Sequence, residues 1–142
     1  VANQADETPG DVQSDTPVRG GEETILVVDD EAEIRELTQE VLEGFGYKVL
    51  AVEDGEQAIK TYEEQGHQVH LILLDLNMPG MGGYKCLQEL LKLNPAVKVV
   101  IASGYSASGQ ARESLSSGAR EFVGKPYHMK ELAETVRRVL DI

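Results

Sequence analysis

From residue 24 onward the chain alternates short apolar runs with stretches in which apolar residues recur every three or four positions. The runs cover residues 25–28, 49–52, 71–74 and 97–102, with a weaker one at Phe122 and Val123. Several consist almost wholly of Val, Ile and Leu. Strands covered on both faces have that composition, whereas a half-solvated strand alternates polar with apolar. Five strands are predicted. Between the first two, Ile34, Leu37, Val41, Leu42 and Phe45 keep helical spacing, and Gly44 and Gly46 can end that helix. Ala58, Ile59 and Tyr62 predict a second, short helix ending near Gly66. Tyr84, Leu87, Leu90 and Leu91 predict a third, stopped at Asn94 because the residue before Pro95 disfavours helical dihedrals. Ala107, Ala111 and Leu115 mark a weak fourth, and Met129, Leu132, Ala133, Val136, Val139 and Leu140 a strong fifth. Strict strand-helix alternation with short connections predicts an α/β fold: a parallel sheet with right-handed crossovers and helices on both faces.

Residues 1–23 break the pattern. They hold six acids against one base, Arg19, with Pro9, Gly10, Pro17, Gly20 and Gly21 among them. Such a segment buries too little apolar surface to offset its ordering entropy and is read as an acidic disordered tail or linker, leaving residues 24–142 as the domain. Val1, in place of an initiator methionine, is read as a cut point.

The whole chain has 142 residues, 41% of them hydrophobic, enough for one domain with a core. Its 25 Asp and Glu against 13 Lys and Arg leave a net charge of −12, which opposes direct nucleic-acid binding and favours cations and basic partners. No apolar run approaches the roughly 20 residues that span a bilayer, and no secretion signal opens the chain. The single cysteine, Cys86, can form neither an internal disulfide nor a cysteine-rich metal site. A cytoplasmic protein without membrane contact is expected.

In parallel α/β sheets ligands bind beyond the carboxyl ends of the strands. The first run is followed by Asp29 and Asp30, the second by Glu53 and Asp54, the third by Asp75, the fourth by Ser103 and Gly104, and the fifth by Gly124, Lys125 and Pro126. The topology thus brings three aspartates, a hydroxyl and a lysine to one sheet edge. Crowded carboxylates repel one another and resist desolvation, so positive charge must compensate them. Lys125 supplies one. A hard divalent cation with oxygen ligands supplies the rest, and Mg²⁺ is the economical choice. His67, His70 and His128 are too scattered to suggest zinc.

Each residue also has a plainer reading. Asp30 and Glu33 suit a capping box of the first helix, and Asp54 before Gly55 suits a helix cap. Ser103-Gly104 suits a turn, and Lys125-Pro126 a surface lysine before a helix-starting proline. Asp75 resists such a reading, since an acid between Leu74 and the loop of Asn77, Met78, Pro79 and Gly80 is not needed for folding. Their joint occurrence, in order at one edge, favours chemistry over coincidence.

These residues carry a family resemblance. Residues 24–142 resemble the receiver domain of two-component response regulators: Asp29-Asp30 after the first strand, Asp75-Leu76-Asn77-Met78-Pro79-Gly80 after the third, Ser103 after the fourth and Lys125-Pro126 after the fifth. The segments around Asp29 and Ser103-Gly104-Tyr105 look most like receivers at the C-terminus of hybrid sensor histidine kinases; a stand-alone single-domain regulator is the alternative. The resemblance implies a doubly wound, flavodoxin-like (βα)5 three-layer sandwich with sheet order 2-1-3-4-5. It implies that Asp75 accepts a phosphoryl group from a phosphohistidine, on a sensor histidine kinase or a histidine phosphotransfer protein. It further implies Mg²⁺ held by Asp30, Asp75 and the backbone carbonyl of Asn77, with Asp29 acting through water, and phosphoryl stabilisation by Ser103 and Lys125. Ser103 and Phe122 would form the switch, although Phe122 reads equally as an ordinary core residue. The fourth helix, fifth strand and fifth helix would form the output face and a route to homodimers, and the Lys125-Pro126 bond would be cis.

Two rivals fit less well. A haloacid dehalogenase-type aspartyl-phosphate phosphatase expects an acid two residues after the nucleophile, where this chain has Asn77. A nucleotide-binding α/β domain expects a glycine-rich loop after the first strand, and none is present.

Overall fold

The short apolar runs become strands whose alternate residues face opposite ways. In a computed structural model describing residues 19–78, 82–104, 109–125 and 128–142, β1 (Thr24–Val28), β2 (Lys48–Val52), β3 (Leu71–Asp75), β4 (Val99–Ser103) and β5 (Glu121–Gly124) form one parallel sheet. Its order is β2-β1-β3-β4-β5, the doubly wound order expected. Helices α1 (Ala32–Gly44), α2 (Gly55–Gln65), α3 (Gly83–Leu93), α4 (Gly109–Ser117) and α5 (Met129–Leu140) follow the strands in turn, with a 3-10 turn at Gly66–Gln68.

On one face Leu26, Val28, Ile72, Leu74, Val99 and Ile101 pack with Ala58 and Tyr62 of α2 and Cys86, Leu87 and Leu90 of α3. On the other, Ile25, Val27, Leu71, Leu73, Val100 and Ala102 pack with Val41 and Leu42 of α1 and Leu132, Val136 and Val139 of α5. The period of two, hidden in a continuous apolar run, reappears as this division, since successive strand residues point to opposite faces. None of the described helices is long and apolar enough to cross a membrane.

Several expectations need correction. The fourth strand starts at Val99, because Val97 is still in a turn, its N–H donating to Asn94. Leu37, expected on the inner face of α1, is exposed; Thr38 takes the inward position and its hydroxyl donates to the Ile34 carbonyl at 2.7 Å. A residue's step of about 100° around a helix separates the two. Leu115 is exposed in α4 while Ser114 is buried, the same one-residue rotation. Met129, the first residue of α5, precedes the stripe that begins at Leu132 and belongs to neither core cluster. Ala107 lies outside the described residues.

Residues 19–23 lie against the domain. Gly21 donates its N–H to the Phe45 carbonyl at 3.1 Å, and Lys48 donates to the Glu23 carbonyl at 3.0 Å. Arg137 of α5 reaches the Gly20 carbonyl at 3.0 Å and the Glu23 carboxylate at 2.7 Å, and Arg19 pairs with Asp141.

Candidate functional site at the carboxyl ends of the strands

The strand register brings the singled-out residues together. Val28 stands beside Leu74, Asp75 beside Ala102 and Ser103 beside Gly124, so Asp29, Asp75, Ser103 and Lys125 occupy one edge. The ladder runs past the strand ends, with Asp29 N–H donating to Val52 at 3.2 Å and Lys125 N–H to Ser103 at 2.9 Å. These bonds hold the backbones of Asp29 and Lys125 to the neighbouring strands.

The same turn is built at both buried acids. Glu31 N–H donates to Asp29 Oδ1 at 2.9 Å, and Asn77 N–H donates to Asp75 Oδ1 at 3.0 Å. Each side chain therefore folds back on the chain two residues ahead, as Asp does in turns. Glycine makes room behind it: a Cβ at Gly83, the first residue of α3, would overlap the Asp75 carbonyl and approach Leu76 Cα. The residue before it, Gly82, has a φ of 76°, in the region that favours glycine.

Asp29, Asp75 and Ser103 are buried, and Asp30 is exposed. The Lys125 ammonium donates to Asp29 Oδ2 at 3.1 Å, Glu31 Oε1 at 3.1 Å and Asp75 Oδ2 at 3.3 Å. Burial pushes the Asp75 carboxyl above its usual range, and the Asp29 charge adds to the rise; the Asn77 N–H and the Lys125 charge oppose it. For Lys125 burial acts downward, but the Asp75 and Asp29 carboxylates outweigh it and hold the proton more firmly than in water.

One oxygen from each of Asp29, Asp30 and Asp75 lies within 4.8 Å of the others. All three donors are hard carboxylate oxygens, two buried and one at the surface. That set fits Mg²⁺, which binds through a few carboxylates and keeps several waters, and it lacks the nitrogen and sulfur ligands typical of zinc. Asn77 follows Asp75 by two residues, and its side-chain amide donates to Ser103 Oγ at 3.5 Å. Phe122 is half-buried against the cluster of α2 and α3. Pro126, Tyr105, Pro79 and Gly80 lie outside the described residues, and with them the geometry of the Lys125-Pro126 bond.

The plainer readings divide. Asp54 does cap α2, accepting the Gln57 N–H at 2.8 Å. The capping box at Asp30 and Glu33 is not formed, because α1 starts one residue later, with Glu31 as its N-cap and no side-chain cap bond. Two neighbours escaped the sequence reading. Glu31 is the third acid on Lys125, and Arg35 donates to the Asp29 carbonyl at 2.8 Å. Glu31 stands two residues after Asp29, the spacing of Asn77 after Asp75, and that parallel was the available signal.

The sequence model of the response regulator receiver domain matches residues 25–137. A sensor kinase of Brucella abortus, CckA, is 35% identical over 121 residues, 85% of this chain but 13% of that protein. The chemotaxis protein CheY of Bacillus subtilis is 29% identical over 118 residues, 82% of this chain and 97% of that one. A CheY-like receiver domain protein of Methanospirillum hungatei superposes with a TM-score of 0.79 at 30% identity, over 85% of this chain and 95% of that one. The receiver domain of a sensor histidine kinase of Pseudomonas aeruginosa, solved with a magnesium ion coordinated in its active site cleft, superposes with a TM-score of 0.78 at 25% identity, over 86% of this chain and 100% of that one. The chain thus spans a small part of the longer relative and nearly all of the single-domain ones. The phosphatase alternative finds no support among these relatives. Sheet order, the acids and lysine at the strand ends, and the match over residues 25–137 agree: the chain belongs to the response regulator receiver domain family of two-component signalling.

Proposed function

We propose that Asp75 accepts a phosphoryl group from a phosphohistidine on a sensor histidine kinase or a histidine phosphotransfer protein, and that the resulting acyl phosphate is the signal. The observation that carries this reading is a buried Asp75 carboxylate in contact with the Lys125 ammonium, 3.3 Å away, and gathered with two further acids. A carboxylate oxygen of Asp75 attacks phosphorus, the P–N bond breaks, and the imidazole leaves with that bond's electron pair, neutral because its other ring nitrogen already carries a proton. The protein's part is chiefly positioning and charge. Asp29, Asp30, Asp75 and the backbone carbonyl of Asn77 would hold Mg²⁺, which supplies charge neutralisation and orients phosphoryl oxygens. Lys125 passes from the carboxylate to the phosphoryl group, and the Ser103 hydroxyl donates to a phosphoryl oxygen.

As Ser103 turns toward the phosphoryl group, Phe122 turns inward behind it, and α4, β5 and α5 form the output and homodimer face. Support comes from the exposed apolar side chains of Leu115 and Met129 on α4 and α5. Likeness to receivers of sensor kinases favours a hybrid kinase as the parent protein, with this domain in the cytoplasm, where ATP serves kinases. The test is incubation with acetyl phosphate or phosphoramidate and Mg²⁺. Intact mass should rise by one phosphoryl group in the wild type and not in Asp75→Asn; modification surviving that substitution overturns the assignment.

A further inference from the structure

Lys125 does not divide itself between Asp29 and Asp75 alone. An ammonium has three N–H donors, and here three carboxylates accept from it, the third being Glu31 at 3.1 Å. The two aspartate side chains are buried, whereas that of Glu31 is 60% exposed. Glu31 therefore stands at the mouth of the site and holds the lysine from the solvent side.

Helix α1 does not account for a glutamate there. Glu31 occupies the N-cap, where Ser, Thr, Asp and Asn are preferred, and its side chain makes no capping bond. Its backbone is anchored instead, through the N–H donated to Asp29 Oδ1, which keeps the carboxylate at the mouth. With Asp29 and Asp75 it completes the three acids on Lys125, beside the exposed Asp30 of the same acidic cluster.

We infer that Glu31 is a positioning residue that retains Lys125 until a phosphoryl group arrives and, by its charge at the mouth, discriminates among phosphoryl donors. The inference rests on Asp75 as the acceptor. A dianionic donor must approach past Glu31 and draw Lys125 away from it; a donor with less net charge meets less resistance. A fixed charge at a cleft mouth alters the local concentration of charged reactants, and added salt weakens that influence.

The experiment compares wild type, Glu31→Gln and Glu31→Asp with acetyl phosphate, which is dianionic at neutral pH, and phosphoramidate, which carries about one negative charge, at saturating Mg²⁺. Glu31→Gln should speed modification by acetyl phosphate about threefold or more and by phosphoramidate less, the difference shrinking as salt is raised. Glu31→Asp keeps the charge and should keep the wild-type donor ratio. In the metal-free protein the Lys125 ammonium resonance, followed by 15N NMR, should shift in Glu31→Gln. An unchanged donor ratio, slower reaction with both donors, a Glu31→Asp variant that behaves like Glu31→Gln, or an unmoved Lys125 resonance each overturns the role of Glu31. Asp75→Asn run alongside keeps the two readings apart, because its continued modification refutes Asp75 as acceptor whatever Glu31 does.

Discussion

The Lys125 ammonium and Asp75 Oδ2 lie 3.3 Å apart although 50 residues separate them, and both side chains are almost wholly removed from water. Asp29 shares the same ammonium at 3.1 Å. Lys125→Ala therefore leaves two carboxylates buried without their common partner. Metal-free stability in urea should fall by about 3–5 kcal/mol, the usual cost of breaking a buried pair from one side. Adding Asp75→Asn to that variant should restore part of the loss. A double variant no more stable than the single one would show that lost packing, not unpaired charge, is responsible.

Mg²⁺ at millimolar concentration should raise the melting temperature, since a ligand held by the folded state alone stabilises it by mass action. Asp30→Asn should reduce the increase and leave metal-free stability within about 0.5 kcal/mol, because this acid is exposed. Calorimetric scans with and without the ion check both expectations. An undiminished shift in Asp30→Asn would remove this residue from the cation's ligands.

At the far end of β1, Arg137 holds the Glu23 carboxyl below its usual 4.5, chiefly through their hydrogen bond, while burial opposes the effect. The folded state then binds this proton less readily than the unfolded chain. The stabilisation is complete above about pH 4.5 and is lost as pH falls through the lowered value. Glu23→Gln should cost about 1 kcal/mol at pH 7 and close to nothing once Glu23 is protonated in both states. Urea unfolding across that range checks the sign; a gap that widens on acidification would contradict the pairing.

Gly83→Ala should destabilise by about 2 kcal/mol, because the new methyl meets the Asp75 backbone carbonyl, which belongs to the sheet and has little room to give. Phosphoryl uptake should slow as well, although Gly83 carries no functional group. Normal uptake at normal stability would show that the start of α3 can shift without moving Asp75.

Leu37→Gln and Leu115→Gln should each change stability by no more than about 0.5 kcal/mol, whereas Leu42→Ala should cost about 2–5 kcal/mol. Leu37 and Leu115 are exposed, and Leu42 is fully buried. Equal losses at the three positions would restore the helix faces expected from apolar spacing.

That last contrast marks where the sequence is legible and where it is not. The strands could be read because β1, β3 and β4 are apolar on both faces, so no error of phase could hide them. The convergence of Asp29, Asp75, Ser103 and Lys125 could be read because parallel topology makes strand ends neighbours whatever the intervening length. Helix faces were less legible. One residue of rotation exchanges Leu37 for Thr38 or Leu115 for Ser114, and a hydroxyl that bonds to its own helix, as Thr38 does, can be buried in place of an apolar group. Glu31 and Arg35 escaped because their roles depend on side-chain reach across the site. The contacts of residues 19–23 escaped because an acidic, glycine-containing segment shows no periodicity, and a single arginine 114 residues after Glu23 draws it to the domain.

β1 runs between two charged assemblies, with Glu23 on Arg137 just before it and Asp29 on Lys125 just after it. In a parallel sheet a slip of one residue turns every side chain to the opposite face. Here such a slip would also pull an acid off its base at each end of a five-residue strand. The two ion pairs act as end stops that fix the central strand lengthwise, and the carboxylates at the carboxyl edge inherit their alignment from a contact at the opposite rim of the sheet.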